Sequence, residues 1–525
     1  MTTLWIQVLL IVVGLSLSVW GLMRMVESMR LDVPESEAHQ LRARRWRWVI
    51  LMGLGDALVI FAIVLIVIHP EDWQELFQLD QNPGQSEKRD QQRIERLLQQ
   101  PLLQPDQTPQ RPADSAKEGN PVSLDWSGWR GPYRDGIVRE TGLLDQWLET
   151  GLPVLWRTPI GGGYSSPVVV GGRVYVMDYR KPDERLVCFD AADGKMLGEY
   201  RWPVAYRDID TRWGGDYGPR GTPEIAGRHI YALGADGDLV CCEVEPKNNA
   251  LPVVWHKHLF QEFPPQLPST WWGLSGSPLV VDDLVIVIVG NAEGCVLAFD
   301  RISGELKWKA LKDKPAYSSP VLANMPVAPQ IRQVVVLTAA RIAGLELTTG
   351  ELLWSYPWTT DYDCNIATPI VAGNYVFVST DYGRGSVLLE ISRGSDGKWR
   401  ADAVYQTKKF QNHIATSVLV GDRLYGFNGN SPARLTCFHF RTGELIWEAK
   451  REVDKGCLLY ADGRLIVFTE KGELVLVEPG ETGFTIRGRF RVFPDSHSTW
   501  ALPAVSNGRL FVRNDRELVC LNLRR

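Results

Sequence analysis

A chain of 525 residues exceeds what one ordinary core holds, so it is built either as several domains or as one large repeat architecture. Its 57 Lys and Arg against 62 Asp and Glu give a formal net charge of -5, and no long basic run occurs. That balance excludes the electrostatic footprint of a nucleic-acid binder.

Two apolar runs come first in the chain. Leu4–Met23 and Trp48–Ile68 are each about the 20 residues that cross a bilayer as a helix, and they predict transmembrane helices over 1–24 and 48–69. The first run lacks a basic leader and a small-residue cleavage site, so it reads as a retained helix. The loop 25–47 carries Arg30, Arg42, Arg44, Arg45 and Arg47, while the stretch just after Ile68 carries only Lys88. The positive-inside rule therefore places the loop in the cytoplasm and everything from about His69 onward outside it. This predicts an anchor in the inner (cytoplasmic) membrane with the C-terminal domain in the periplasm. Asp56 near mid-depth of the second helix is a functional candidate by cost alone. Gly14, Gly53 and Gly55 permit close helix approach, and Ser16 and Ser18 reach a similar depth, so hairpin packing is the favoured role for Asp56.

Residues 70–122 turn polar, with eleven Gln between Gln74 and Gln110 and recurrent Pro. Apart from a short helical stretch near Arg93–Leu98, this reads as a flexible spacer. From 123 to 525 the pattern changes to short alternating strands broken by Gly, Pro, Asn and Asp, an all-β signal. A unit of the form Ser/Thr-x-Pro-Val-Val-x-Gly-x-x-Val-Tyr-Val, then a Cys- or Ala-centred strand, a Gly turn and a Trp strand, starts at Ser165, Gly221, Gly276, Ser318, Ala367, Ala415, Gly456 and Ala501. Eight such four-stranded units predict an eight-bladed β-propeller, because one sheet cannot bury both faces until its neighbours cover them. The last unit stops at Leu-Val-Cys-Leu-Asn-Leu without its Trp strand. Pro153–Ile160, which contains Trp156 ahead of the first full unit, supplies the missing strand and closes the ring.

The spacing Ala298-x5-Gly304-x3-Trp308, repeated at Gly344, Gly350 and Trp354 and at Cys437, Gly443 and Trp447, resembles the tryptophan-docking motif of the quinoprotein dehydrogenases. Those are eight-bladed propellers that can hold pyrroloquinoline quinone (PQQ). The flanking stretches around Trp126–Gly136 and Gly161–Val169 look more like PQQ-binding-like repeat proteins of the BamB-like type. The motif is blade glue: a Trp ring needs a small residue to dock on, and Gly supplies the turn. It speaks for fold and not for catalysis. In the first unit Gly198 stands at the Trp position, and the second carries an insertion before Trp255.

Segments between blades lead into the innermost strands on one face, so residues just before each unit should line the channel mouth. They are Tyr164, Asp216, Tyr217, Arg220, Trp271, Trp272, Ser275, Tyr317, Asp363, Asn365, Asn412, His413 and Trp500. Aromatic faces beside Arg, Asn and Asp suit a flat polar anion, a sugar or a peptide, although the mouth of any propeller is polar. Arg130, Arg134 and Asp135, with Trp126 and Trp129, precede the ring and read as a plug or lid. Cys188, Cys241, Cys437 and Cys520 share one repeat position and predict buried thiols in separate blades. The resemblance to PQQ alcohol dehydrogenases raises an adjacent-cysteine disulfide for Cys241 and Cys242, but on a strand their side chains point to opposite faces. His256 and His258 share a strand face and read as solvated, with no third metal ligand in view.

Two function classes follow. The favoured one is a membrane-tethered ligand- or protein-binding scaffold without turnover. It differs from BamB itself, a lipoprotein, in having no Cys before Cys188. The other is a PQQ- and Ca²⁺-dependent periplasmic oxidoreductase acting on alcohols or sugars, for which Asp216, Asp363, Asn365 and Asn412 would supply oxygen ligands and a base. A carbohydrate-binding or hydrolytic propeller rests on the aromatic mouth alone.

Overall fold

The computed structural model describes residues 83–99, 124–206, 209, 218–268, 271–494 and 499–524, with side chains from 91 onward. Both apolar N-terminal runs, Asp56, and the mouth candidates Asp216 and Tyr217 lie outside the described residues. Among those described, no helix is long and apolar enough to cross a membrane.

Eight antiparallel sheets of four strands form the blades. Their innermost strands are Val168–Val170, Glu224–Ala226, Leu279–Val281, Val321–Ala323, Ile370–Ala372, Val418–Val420, Gly456–Ala461 and Ala504–Ser506, which we number blades 1 to 8. The strand Val154–Pro159 pairs antiparallel with Glu517–Asn522 as the outermost strand of blade 8, so the N-terminal side of the ring closes on its C-terminal end. Blade 7 gains a fifth strand, Ile137–Val138, parallel to its innermost strand.

Alternate residues along a strand face opposite neighbours, and each space between blades is a separate apolar core. Cys241 lies in the core between blades 2 and 3, while Cys242 lies in the core between blades 1 and 2. All eight cysteines are buried free thiols.

The docking motif works between blades. Trp308 lies opposite Ala298 in its own blade, and its indole N–H donates to Leu347 O at 3.0 Å in the next. There its ring covers Gly350, whose φ of +73° and lack of space exclude a side chain. The same contact joins Trp156 to Ala191 O and Gly194, and Trp255 to Arg301 O and Gly304. Tyr405 takes the Trp role toward Phe440 O and Gly443. Trp447 donates to Gly480 O in blade 7. Trp354 instead donates to Gln333 of its own blade at 2.7 Å. Where blade 1 has Gly198, Pro246 and Ala250 of the blade 2 insertion pack over it, and Leu251 N–H donates to Glu199 O at 3.0 Å. The two irregular units thus compensate one another.

The helical stretch is longer than the sequence indicates. Helix α1 covers Pro83–Leu98, and its part from Asp90 onward belongs to the compact unit that runs to Arg525. Leu97 is buried in the core of blades 5 and 6, Arg93 donates to Ala403 O at 2.6 Å, and Arg441 donates to Leu97 O at 2.9 Å. This part of the linker is held against the ring.

Candidate functional site

The middle residue of each unit start, and not the first, carries the channel wall. Ser166 N–H donates to Thr222 Oγ1 at 3.2 Å, Thr222 N–H to Ser277 Oγ at 2.9 Å, and Ser277 N–H to Ser319 Oγ at 2.9 Å. Thr368 N–H donates to Thr416 Oγ1 and Leu502 N–H to Ser166 Oγ, each at 2.9 Å. A hydroxyl at this position links the inner strands of blades 1 and 2, 2 and 3, 3 and 4, 5 and 6, and 8 and 1 around the axis, while blades 7 and 8 carry Cys457 and Leu502 there.

The segment 126–138 fills the channel that these strands enclose. Trp126 bridges to Val169 of blade 1, and Ile225 N–H of blade 2 donates to Ser127 O at 2.8 Å. Trp129 donates to Thr368 Oγ1 of blade 5 at 3.0 Å. Arg134 donates to Pro320 O, to Pro278 O and to Glu224 Oε2, so one guanidinium joins blades 2, 3 and 4. Arg130 donates to Thr416 O, Ser417 O, Arg134 O and Asp135 O. Asp135 turns back to an ion pair with Arg139 at 2.6 Å. A loop with two buried arginines satisfies carbonyls that would otherwise line an open bore.

What remains is a cup of about 40 Å³, floored by Trp129 and Arg130 and walled by His413, Lys455, Glu470 and Trp500. It has room for only a few waters, against roughly 300–1,000 Å³ for a cleft that encloses a drug-sized ligand. His413 accepts from Lys455 Nζ at Nδ1 and meets Tyr382 Oη at Nε2, both at 2.9 Å. Burial, then the Lys455 charge, push its pKa down to about 3, so the imidazole is neutral. With Nδ1 accepting, its proton belongs on Nε2 and is donated to Tyr382. Lys455 pairs with Glu470 at 3.2 Å, and Glu470 accepts from Trp500 Nε1 at 2.9 Å. Trp500 stacks on Tyr164 at 4.9 Å, and the Arg220 guanidinium lies 5.5 Å from the Tyr164 ring centre. These contacts form one chain over the rim of blades 5, 6, 7, 8, 1 and 2.

The other mouth candidates divide. Trp272 and Tyr317 pack together at 5.6 Å on the opposite arc. Asp363 is paired with Lys314 at 3.5 Å, and Ser275 bonds the backbone at Gly273. Trp271 turns into the core between blades 2 and 3. Asn365 and Asn412 are buried and spend their amides on Thr338 O and on Phe427 O. They brace loops; they do not face the cup. Sequence reading missed Tyr382 and Glu470, which sit in hairpins between second and third strands, a second set of tips on the same face. It also missed Lys455, one residue before the blade 7 start, in a unit whose start has neither Ser/Thr nor Pro.

The His256 and His258 rings converge on Asp238 Oδ1 at 2.8 and 3.3 Å, with Tyr200 Oη on His256 Nδ1 at 2.9 Å. The strand is therefore not simply solvated. No group of three His, Cys, Asp or Glu that could hold a metal ion occurs among the described residues. A quinone with its metal needs such a set plus a free carboxylate beside it. With Asp363 paired, Asn365 and Asn412 committed to backbone, and the bore filled by Trp129 and Arg130, the described residues do not fit that group.

Fold and site define a class: an eight-bladed β-propeller whose axis is plugged by its own chain, with an aromatic, cationic cup over the plug. The chain belongs to the family described as outer membrane protein assembly factor BamB, whose model matches residues 198–449 and 431–524. No curated protein matches the sequence. Among solved structures it is similar to a europium-containing methanol dehydrogenase, at 12% identity over 74% of this chain and 89% of that one, with a TM-score of 0.54. The quinohemoprotein alcohol dehydrogenase from Comamonas testosteroni matches at 14% identity over 78% and 81%, TM-score 0.52. BamB from Moraxella catarrhalis matches at 14% identity over 71% and 97%, TM-score 0.48. At such identities the two likenesses with TM-scores above 0.5 speak for the fold alone.

Proposed function

We propose that this protein is a non-catalytic scaffold that binds a partner at the rim of its cup and is held at the outer face of the cytoplasmic membrane by its two N-terminal apolar runs. One observation carries the reading: the chain's own plug occupies the axis, so the rim is a shallow binding surface and not a cofactor chamber. Membership of a family named for outer-membrane protein assembly supports a protein as the partner. The anchor and the extracytoplasmic side rest on the Arg-rich loop 25–47. The second reading, a PQQ- and Ca²⁺-dependent alcohol or sugar dehydrogenase, is favoured only by the shared fold.

Two measurements on the full-length chain in detergent separate them. Calorimetric titration with PQQ, with and without Ca²⁺, should show no binding at high micromolar PQQ, and dye reduction with simple alcohols and aldoses should be absent. Tight PQQ binding with dye reduction overturns the scaffold reading. A photo-crosslinking residue at position 382 or 500 on the rim should capture a discrete partner in cells, while the same residue at Asp462 on a turn between first and second strands should not. Equal capture at both positions would remove the rim from the proposal.

A further inference from the structure

The seams between blades are filled from one repeated position. The residue at the end of the third strand donates its N–H to the first turn of its own blade: Ala191 to Gly172 O, Leu347 to Arg332 O, Ile391 to Asn374 O and Phe440 to Asp422 O. Its side chain enters the core shared with the preceding blade, where Leu347, Ile391 and Phe440 are buried. In the seam between blades 8 and 1 the filler is only Ala191, and beside it opens a cavity of about 510 Å³. That volume lies within the roughly 300–1,000 Å³ of small-molecule sites. The turns around it belong to the face away from the cup, so this site stands apart from the rim.

The cavity is amphipathic. Buried Val169, Ala191 and Phe511 form its floor with exposed Leu155 beside them, and Arg509, Arg524 and Asn507 line it toward solvent. Arg509 is positioned by Nη1, which donates to Ala191 O at 2.5 Å. Arg423 makes a corresponding bond to Gly480 O between blades 6 and 7, so that contact by itself is a blade tie. Arg524 brings a second guanidinium. Its stem crosses Gly508, whose φ of +68° and lack of a side chain leave it room, and Glu140, which accepts from Gly508 N–H at 2.6 Å, tempers its charge.

We propose that the seam between blades 8 and 1 binds a small organic anion, its apolar body on Phe511 and Leu155 and its carboxylate or phosphate on Arg509 and Arg524. The floor rewards removal of apolar surface from water, and the planar guanidinium fork matches either head group with paired, charge-assisted hydrogen bonds. A seam left open where its counterparts are packed forgoes burial unless a ligand supplies it.

The test is calorimetric titration of full-length protein in detergent with hexanoate, hexyl phosphate, hexan-1-ol and inorganic phosphate. Wild type should bind hexanoate or hexyl phosphate at least about tenfold more tightly than either hexan-1-ol or inorganic phosphate, and the tighter of the two anions identifies the head group. Ala191→Leu restores a filler of the kind the other seams carry; it should abolish binding and leave the melting temperature unchanged or raised. Arg524→Gln, at the exposed mouth, should bring the anions down to the level of hexan-1-ol without changing the melting temperature. Equal binding of hexan-1-ol and the anions, or no binding of either anion at about 10 mM, overturns the proposal. So does wild-type affinity in a folded Ala191→Leu variant. Should Ala191→Leu melt well below wild type, Arg524→Gln decides alone, and undiminished anion binding there overturns the site.

Discussion

Glu184 shows how far the ring perturbs a single group. It is fully buried, accepts from the Tyr206 hydroxyl and from Trp202 Nε1 at 3.2 Å, and its pKa is raised from 4.5 to about 7, chiefly by burial. Hydrogen bonds from Tyr206 and Ala235 oppose that rise without cancelling it. A folded-state pKa above the unfolded value means that the folded protein holds the proton longer. Its contribution is therefore fully present below pH 4.5 and is lost as pH rises through 7. In urea unfolding, wild type minus Glu184→Gln should fall by up to about 3 kcal/mol between pH 4.5 and 7.5. A difference that stays flat with pH would show that the carboxyl is not held protonated.

Among the elements, the plug 126–138 has the widest reach. Arg134 ties it to the inner strands of blades 2, 3 and 4, and its partner Glu224 is buried to 1% exposure. Removing one member of a buried ion pair costs about 3–5 kcal/mol because the other charge stays behind, whereas neutralising both is milder. Arg134→Ala should lower stability by that amount in chemical denaturation, and Arg134→Ala with Glu224→Gln should recover part of it. A double variant as unstable as the single one would place the cost in lost carbonyl contacts instead. The Trp strands were legible in sequence because ring, small residue and Gly recur at fixed spacing. That Trp156, Trp255, Trp308 and Trp447 dock on the next blade while Trp354 bonds within its own was not, because a repeat pattern reads the same whether a contact is made within a unit or across two. The Gly198 gap and the insertion after Glu243 look like separate defects in sequence. Only their meeting in space shows each filling the other.

For the molecule as a whole, closure of the ring decides exposure. Every thiol is buried, and burial pushes the Cys188, Cys241, Cys457 and Cys520 thiols up to about 12. A thiol held protonated inside a packed core is a poor nucleophile. The native protein should therefore show less than about one reactive thiol per chain toward an aromatic disulfide reagent and all eight after denaturation, and reductant should leave its melting temperature unchanged. Rapid labelling of the native state, or a reductant-sensitive melt, would contradict the packing.

The sequence by itself determined the blades, their number and the strand that closes them, because short-range alternation and a fixed repeat are properties of consecutive residues. It also located one set of rim segments, since a unit start must follow a connection between blades. The tertiary structure alone decided which rim side chains face the opening. Asn365 and Asn412 turn to backbone carbonyls, while Tyr382, Lys455 and Glu470, distant in sequence, meet around His413. It likewise decided that the bore is filled, by Trp129 and Arg130 of the plug. Both depend on which groups approach across the ring, and ring geometry is not written in any single unit.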